Sequence, residues 1–192
     1  MIFDKTQLPS CDGLTEKPNV WIQTYTGKKF YPLNPKIEDI SIEDAAHSLS
    51  MLCRFTGHSR VFYSVADHSI RVSYLCKPEN QLYGLLHDLS EYILNDVSSP
   101  LKRSGHFDDY RKIEKNLQTL ICRKFGLAEE EPLEVKVADL TMLATEARDL
   151  LPGGPHPDFR LEYVPLPTVI IPLSPAEAER QFLARYRELT GV

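Results

Sequence analysis

The chain has 192 residues, a formal net charge of −5 and 42% hydrophobic residues. This length fits a single domain over residues 1–192, in which residues 1–40 form an N-terminal arm and a hairpin. The acidic balance argues against stable nucleic-acid binding. No apolar run approaches the roughly 18 residues of a membrane span, and the N-terminus lacks the pattern of a signal peptide. We therefore expect a cytoplasmic protein without a membrane partner.

The cysteines limit the metal chemistry of the chain. Cys11, Cys53, Cys76 and Cys122 are widely spaced and include no CxxC pair, which excludes the usual structural zinc site. A chain of this length with few cysteines and no export signal does not favour disulfides. We expect reduced thiols, most of them buried.

The regular structure is predicted to be almost entirely helical. Prolines and a glycine make residues 1–20 an irregular arm, and β-formers on both sides of Thr26-Gly27 predict a short hairpin over residues 21–31. Elsewhere apolar residues recur at three- and four-residue spacing, which predicts helices over about residues 42–54, 63–75, 82–96, 107–125, 132–151 and 174–191. The predicted fold class is all-α, an irregular helical bundle with a small N-terminal β-hairpin.

The central segment, LYGLLHDLSEYILND over residues 82–96, has a histidine and an aspartate in the middle of an apolar run. Its periodicity predicts one continuous helix with a buried face. Burying His87 and Asp88 costs free energy unless each has a partner, and a divalent cation satisfies both. Glu91 follows them by four and three residues, so the three side chains can face one another across one turn.

Two further residues join this pair as candidate metal ligands. His68 lies in the middle of its predicted helix, and Asp139 interrupts the apolar stripe of another. Two imidazoles and two carboxylates form a mixed nitrogen and oxygen set that suits Mn, Fe, Co, Ni, Zn or Mg. Such a set leaves positions for water and substrate, as in a catalytic site. His47, among alanines and leucines, is interpreted as a structural histidine.

The order of a histidine, a His-Asp doublet and a distant aspartate on helices resembles the HD-domain metal-dependent phosphohydrolases. The likeness is closest to the branch of bacterial 5'-deoxynucleotidases and phage dATP triphosphohydrolases. It rests on four segments within about residues 53–139, namely CRFTGHSRVFYSVADHS, LLHDLSEYILNDVSSPLK, DYRKIEKNLQ and VKVAD. The resemblance implies an irregular HD-domain helical bundle over this part of the chain.

The resemblance also implies a role for each matching residue. It makes four residues the metal ligands, namely His68, His87, Asp88 and Asp139. It implies that Glu91 orients or deprotonates the attacking water, and that Asp96 contacts the sugar or assists the acid–base step. The implied cofactor is one divalent metal ion, with room for a second bound together with the substrate phosphates.

The substrate contacts follow from the same resemblance. Arg54 is implied to grip phosphate, for which its rigid guanidinium group is suited. Lys102 and Lys136 match phosphate-neutralising lysines of the triphosphohydrolases, and the alternative for each is a solvated surface charge. Phe55 either stacks on the nucleobase or belongs to the core.

The implied function is hydrolysis of a deoxynucleotide. We expect a dNTP triphosphohydrolase, with dATP-like substrates, that releases tripolyphosphate, because two lysines offer charge for a polyphosphate. The alternatives are a 5'-deoxynucleotidase acting on dNMPs and a regulatory protein that binds nucleotide without turnover. An alarmone pyrophosphohydrolase is disfavoured because Tyr92 breaks the HDxxED pattern. Family members are often dimers or hexamers, so we expect a homo-oligomer whose partner is a small-molecule nucleotide.

Overall fold

A computed structural model describes residues 20–159 and 161–192. The predicted arm over residues 1–20 lies outside the described residues except for Val20, and so does Cys11. The other three cysteines, Cys53, Cys76 and Cys122, are free thiols, and the last two are buried. The prediction of reduced cysteines is confirmed for these three.

An antiparallel hairpin and eight α-helices make up most of the regular structure of the described residues. The strands are β1 (Ile22–Gln23) and β2 (Lys29–Phe30). The helices are α1 (Ile42–Met51), α2 (Val65–Leu75), α3 (Gln81–Leu86), α4 (Glu91–Leu94), α5 (Ser99–Lys102), α6 (Asp108–Phe125), α7 (Leu133–Leu150) and α8 (Pro175–Thr190). The predicted all-α fold with an N-terminal hairpin is confirmed. Within the described residues, no helix is both long enough and apolar enough to cross a bilayer.

Residues that favour helix ends define several of these boundaries. The side chains of Ser41, Ser64 and Ser174 each accept a hydrogen bond from the backbone N–H three residues later, at the start of α1, α2 and α8. Gly126 and Gly191 adopt left-handed conformations after α6 and α8. These caps agree with the helix ends predicted from the sequence.

The predicted continuous helix over residues 82–96 is wrong. Helix α3 ends at Leu86, and α4 begins only at Glu91. Between them the backbone tightens into turns with bonds over three residues, from the N–H of Leu89 to the carbonyl of Leu86 and from the N–H of Glu91 to that of Asp88. The Gln118 amide of α6 also donates to the Leu86 carbonyl at 3.2 Å. Apolar periodicity does not reveal such a short interruption.

Helix α1 is also shorter than the predicted 42–54, because it ends at Met51. After it, Cys53 forms an isolated β-bridge with Ser64, and the Arg54 N–H donates to the Tyr63 carbonyl at 2.9 Å. Arg54 therefore lies in an extended segment. Its predicted place at a helix C-terminus is wrong, and its backbone is tied to the start of α2 instead.

The helices pack around a core to which α1, α2, α3 and α8 contribute. Leu49, Leu85, Leu86 and Phe182 are fully buried there. The hairpin docks on α1, because Asp44 accepts hydrogen bonds from the Thr26 N–H at 2.7 Å and from the Thr26 hydroxyl at 3.1 Å.

His47 ties α1 to its neighbours. Its ring stacks on Tyr25 with 3.6 Å between ring centroids, and its Nδ1 lies 3.0 Å from Glu179 of α8. These contacts fit the structural role that the sequence suggested for His47.

Helices α2 and α3 approach each other closely at Gly84. A Cβ atom at this position would lie 2.9 Å from Cys76 Sγ and 3.2 Å from Ser73 Cα. We predict that Gly84→Ala lowers the free energy of unfolding by about 1–3 kcal/mol, because overpacking forces the helices apart. Urea denaturation measures this change. Adding Cys76→Ala should restore part of the loss, and a Gly84→Ala variant as stable as the parent would contradict the close approach.

Candidate metal centre

Three elements bring candidate ligands to one point. His68 comes from α2, His87 from the turn after α3, and Asp139 from α7. One ligand atom of each lies within 4.8 Å of the others, so the three side chains could hold a metal ion. His68 Nε2 is 3.4 Å from His87 Nε2 and 3.4 Å from Asp139 Oδ1. The expected convergence of these residues is therefore present.

Asp88 lies against the same group. Its Oδ2 is 3.2 Å from His87 Nε2 and 3.8 Å from His68 Nε2. We call His68, His87, Asp88 and Asp139 together the ligand cluster. The four predicted ligand residues thus lie together, with the two carboxylates beside the two imidazoles.

Hydrogen bonds on the far side of each imidazole test whether the cluster suits a cation. The His68 Nδ1 donates to the Glu146 carboxylate at 2.5 Å, and the His87 Nδ1 donates to the Gly84 carbonyl at 2.8 Å. Each neutral ring therefore carries its lone pair on Nε2, toward the carboxylates. Lone pairs and carboxylate oxygens at these distances repel unless positive charge lies among them. The residues present fit a divalent cation.

The pKa values of His87 and Asp88 also show that positive charge is favoured in the cluster. Burial lowers the pKa of His87, but the charge and hydrogen bond of Asp88, together with the charge of Asp139 and the bond to the Gly84 carbonyl, raise it to about 9. Burial raises the pKa of Asp88, and the neighbouring His87 then holds that pKa well below its usual range. A cation that enters the cluster takes the position of the His87 proton.

Arg54 lies beside the cluster. Its Nε donates to Glu146 at 3.2 Å, and one terminal nitrogen is 3.6 Å from Asp88 Oδ2. Its guanidinium carbon is 5.9 Å from the centre of the half-buried Phe55 ring. Phe55 and Thr56 have φ values of 55° and 52°, which are uncommon for residues with a Cβ atom. The two residues that follow Arg54 therefore both have positive φ values.

Glu91 faces a cavity that opens from the cluster. The cavity has a volume of about 340 Å³, and His87, Asp88 and Asp139 line it together with Glu91. Glu91 is only 5% exposed, and its Oε2 has no hydrogen-bond partner among the described residues. Burial raises its pKa well above the usual range, and the carboxylate of Asp88 raises it further. Such a carboxyl group exchanges its proton at higher pH than an exposed glutamate does.

Of the remaining predicted site residues, Lys136 lines this cavity, whereas Lys102 and Asp96 are not among its lining residues. Lys102 donates to Glu114 at 2.6 Å and lies 3.8 Å from Glu91 Oε1. Lys136 donates to Asp139 at 2.7 Å. Both lysines therefore already have carboxylate partners. Half-buried Asp96 follows Asn95, whose φ is 65°, and its charge raises the pKa values of Arg54 and Glu91.

The chain is similar in sequence to bacterial proteins. No protein-family model matches the chain. It is 40% identical over 173 residues to the uncharacterized protein YfdR of Escherichia coli K12, in an alignment that covers 88% of this chain and 96% of the relative. The chain belongs to the YfdR family. An uncharacterized protein of Rhodobacter capsulatus is 29% identical over 187 residues, which cover 88% of this chain and 95% of that relative.

One residue of the site in this YfdR-family chain, Glu146, was not predicted from the sequence. Glu146 is fully buried and accepts hydrogen bonds from His68, Arg54 and Tyr63. It follows Asp139 by seven residues, or two turns of α7, so both carboxylates lie on one helix face. A carboxylate between Ala144 and Ala147 is the sequence signal that could have revealed it.

We predict that the affinity of the YfdR-family chain for Mn²⁺ rises with pH. His87 has a pKa of about 9 without metal, so below that pH the cation must displace a proton. Each displaced proton raises the apparent affinity ~10-fold per pH unit. Isothermal titration calorimetry from about pH 6 to 8 measures the slope. His156→Asn, which changes an exposed imidazole outside the cluster, should keep it. An affinity independent of pH would contradict imidazole ligation.

Proposed function

We propose that this protein is a metal-dependent phosphohydrolase that acts on deoxynucleotides, as its resemblance to the HD-domain enzymes implies. One observation carries the proposal: three residues of the ligand cluster and the buried Glu91 line one cavity, and the buried Arg54 lies 3.6 Å from Asp88 of that cluster. Buried ionisable groups with shifted pKa values in a cleft are typical of catalytic sites. We propose Asp88 as the fourth ligand beside His68, His87 and Asp139.

Each residue of the site would have a separate role in the hydrolysis. A divalent cation held by the cluster would supply a Lewis acid that polarises a phosphoryl oxygen and lowers the pKa of water. Glu91, whose pKa is raised, would accept the proton of the attacking water. Arg54 carries a permanent charge and would bind a phosphoryl group through nitrogens that Glu146 leaves free. Asp96 would contact the sugar or assist the proton transfer, and Phe55 would meet the base.

Two cations of α6 support a triphosphate as the substrate. Arg111 and Lys115 both line the cavity, and such cations can bind further phosphates. Arg111 pairs with Asp108 at 2.6 Å, so Lys115 is the stronger support. Lys115 has no carboxylate within salt-bridge distance in the described parts of the chain. We therefore propose a dNTP triphosphohydrolase that releases tripolyphosphate, with substrates such as dATP.

A second candidate is a 5'-deoxynucleotidase that acts on dNMPs. The carboxylates of Glu114 and Asp139 already neutralise Lys102 and Lys136. A monophosphate needs fewer cations than a triphosphate, so these ion pairs favour it. A panel of dNTPs, rNTPs and dNMPs with Mn²⁺, Co²⁺, Mg²⁺ and Zn²⁺ separates the candidates when phosphate and tripolyphosphate are measured separately. Tripolyphosphate from dNTPs supports the first candidate, and phosphate from dNMPs supports the second.

We predict that Glu91→Gln lowers kcat by ~10²–10⁴-fold, because an amide cannot accept the proton of the attacking water. Nucleotide binding should persist, since Arg54 and the ligand cluster are unchanged. Steady-state kinetics and equilibrium binding of dATP measure the two effects. Glu129→Gln is the matched control, because Glu129 lines the same cavity but pairs with Arg123. A parent protein that binds nucleotide but turns over none of the panel is a binding protein, which would refute the enzymatic proposal.

A further inference from the structure

A buried carboxylate connects the metal ligand His68 with Arg54. Glu146 accepts hydrogen bonds from the His68 Nδ1 at 2.5 Å and from the Tyr63 hydroxyl at 3.0 Å through its Oε1. Its Oε2 accepts from the Arg54 Nε at 3.2 Å. All of these groups are buried, and Glu146 and His68 are fully so. Both oxygens of the carboxylate are therefore in use.

We propose that Glu146 is a positioning residue that sets metal affinity and the phosphate-binding arginine together. The inference rests on the proposed function and deepens it. Glu146 does not line the cavity, and it lies at Nδ1 of His68, on the opposite side of the ring from the Nε2 that faces the other candidate ligands. It therefore acts through His68 and Arg54. A mere structural ion pair would affect stability alone.

His68 is the first of the two groups that Glu146 positions. Helix α7 supplies carboxylates to both sides of this ring, because Asp139 Oδ1 lies 3.4 Å from Nε2 and Glu146 Oε1 lies 2.5 Å from Nδ1. The bond to Glu146 keeps the proton on Nδ1 and leaves the Nε2 lone pair for a cation. A negative charge behind an imidazole also makes it a stronger metal ligand. Without that charge, the ring could turn or change its tautomer.

Arg54 is the second group that Glu146 positions. Its backbone N–H donates to the Tyr63 carbonyl at 2.9 Å, and its Nε donates to Glu146. The backbone and the side chain of Arg54 are thereby each held by a hydrogen bond, and one terminal nitrogen of the guanidinium group lies 3.6 Å from Asp88. The other N–H donors of the fork stay available for a phosphoryl group. Glu146 thus fixes the distance between the phosphate-binding group and the metal ligands.

The substitution Glu146→Gln separates this role from packing. His68 and Arg54 donate to different oxygens of the carboxylate, and glutamine replaces one of these oxygens with an NH₂ group, so one of the two hydrogen bonds is lost. The Mn²⁺ affinity, measured by isothermal titration calorimetry without nucleotide, should fall ~10–100-fold. At saturating Mn²⁺ the KM for the nucleotide should still exceed that of the parent, because Arg54 is no longer held.

The matched control is Thr145→Val on the same turn of α7. The Thr145 hydroxyl is buried, donates to the Thr141 carbonyl and accepts from the Leu166 N–H, away from the ligand cluster. This variant should lower the Tm while the Mn²⁺ affinity stays unchanged. Glu146→Asp keeps the charge and should give an intermediate Mn²⁺ affinity. It carries the test if Glu146→Gln does not fold.

The outcomes are distinct. The inference would be overturned if Glu146→Gln lowers the Tm but leaves the Mn²⁺ affinity of the parent unchanged. If Glu146→Gln does not fold, the same result with Glu146→Asp would overturn it. If Glu146→Gln has the same nucleotide KM as the parent at saturating Mn²⁺, the proposed positioning of Arg54 by Glu146 is overturned. A parent that binds Mn²⁺ tightly but hydrolyses no nucleotide would refute the proposed function instead, and a weakened Mn²⁺ affinity in the variant would still support the role at His68.

Discussion

Repulsion among the donor atoms of the ligand cluster is the constraint on which the rest of the site depends. The Nε2 atoms of His68 and His87 lie 3.4 Å apart, with carboxylate oxygens of Asp88 and Asp139 beside them. A protein interior solvates such groups poorly, so each charge must be met by an opposite one. Arg54 supplies positive charge on one side. A proton or a cation must supply the rest, which makes the cluster a receptor for positive charge.

The interruption of the central helix is what brings adjacent residues to one point. In a regular α-helix, neighbouring residues do not face each other. The turn after Leu86 removes this restriction, so Asp88 Oδ2 reaches within 3.2 Å of His87 Nε2. The hydrogen bond from Gln118 supports the carbonyl at the end of α3. The backbone thus gives up regular helical bonds where the proposed chemistry needs two ligands side by side.

The charge balance around the cavity determines what can enter it. Glu91, Glu114 and Asp139 lie within 4 Å of a lysine, so much of the local charge is already compensated. A phosphate-bearing ligand must therefore find positive charge at a bound cation, at Arg54 or along α6. This balance explains why the metal ion, rather than the lysines alone, is central to the proposed function of this YfdR-family chain.

The all-α fold, the hairpin and most helix ends could be predicted from the sequence, because apolar spacing and capping residues such as Ser64 and Gly126 act locally. The sequence also predicted that His68, His87 and Asp139 could hold a metal ion together, since His87 and Asp139 interrupt apolar stripes, and the structure brings these three residues to one point. The position of the break in the central helix is visible only in the folded chain, where the Leu86 carbonyl at the end of α3 accepts a hydrogen bond from Gln118 of α6. The tertiary structure alone paired Lys102 with Glu114 and revealed Glu146, whose partners are at least 78 residues away in the chain. Contacts between such distant residues leave no periodic signal in the sequence.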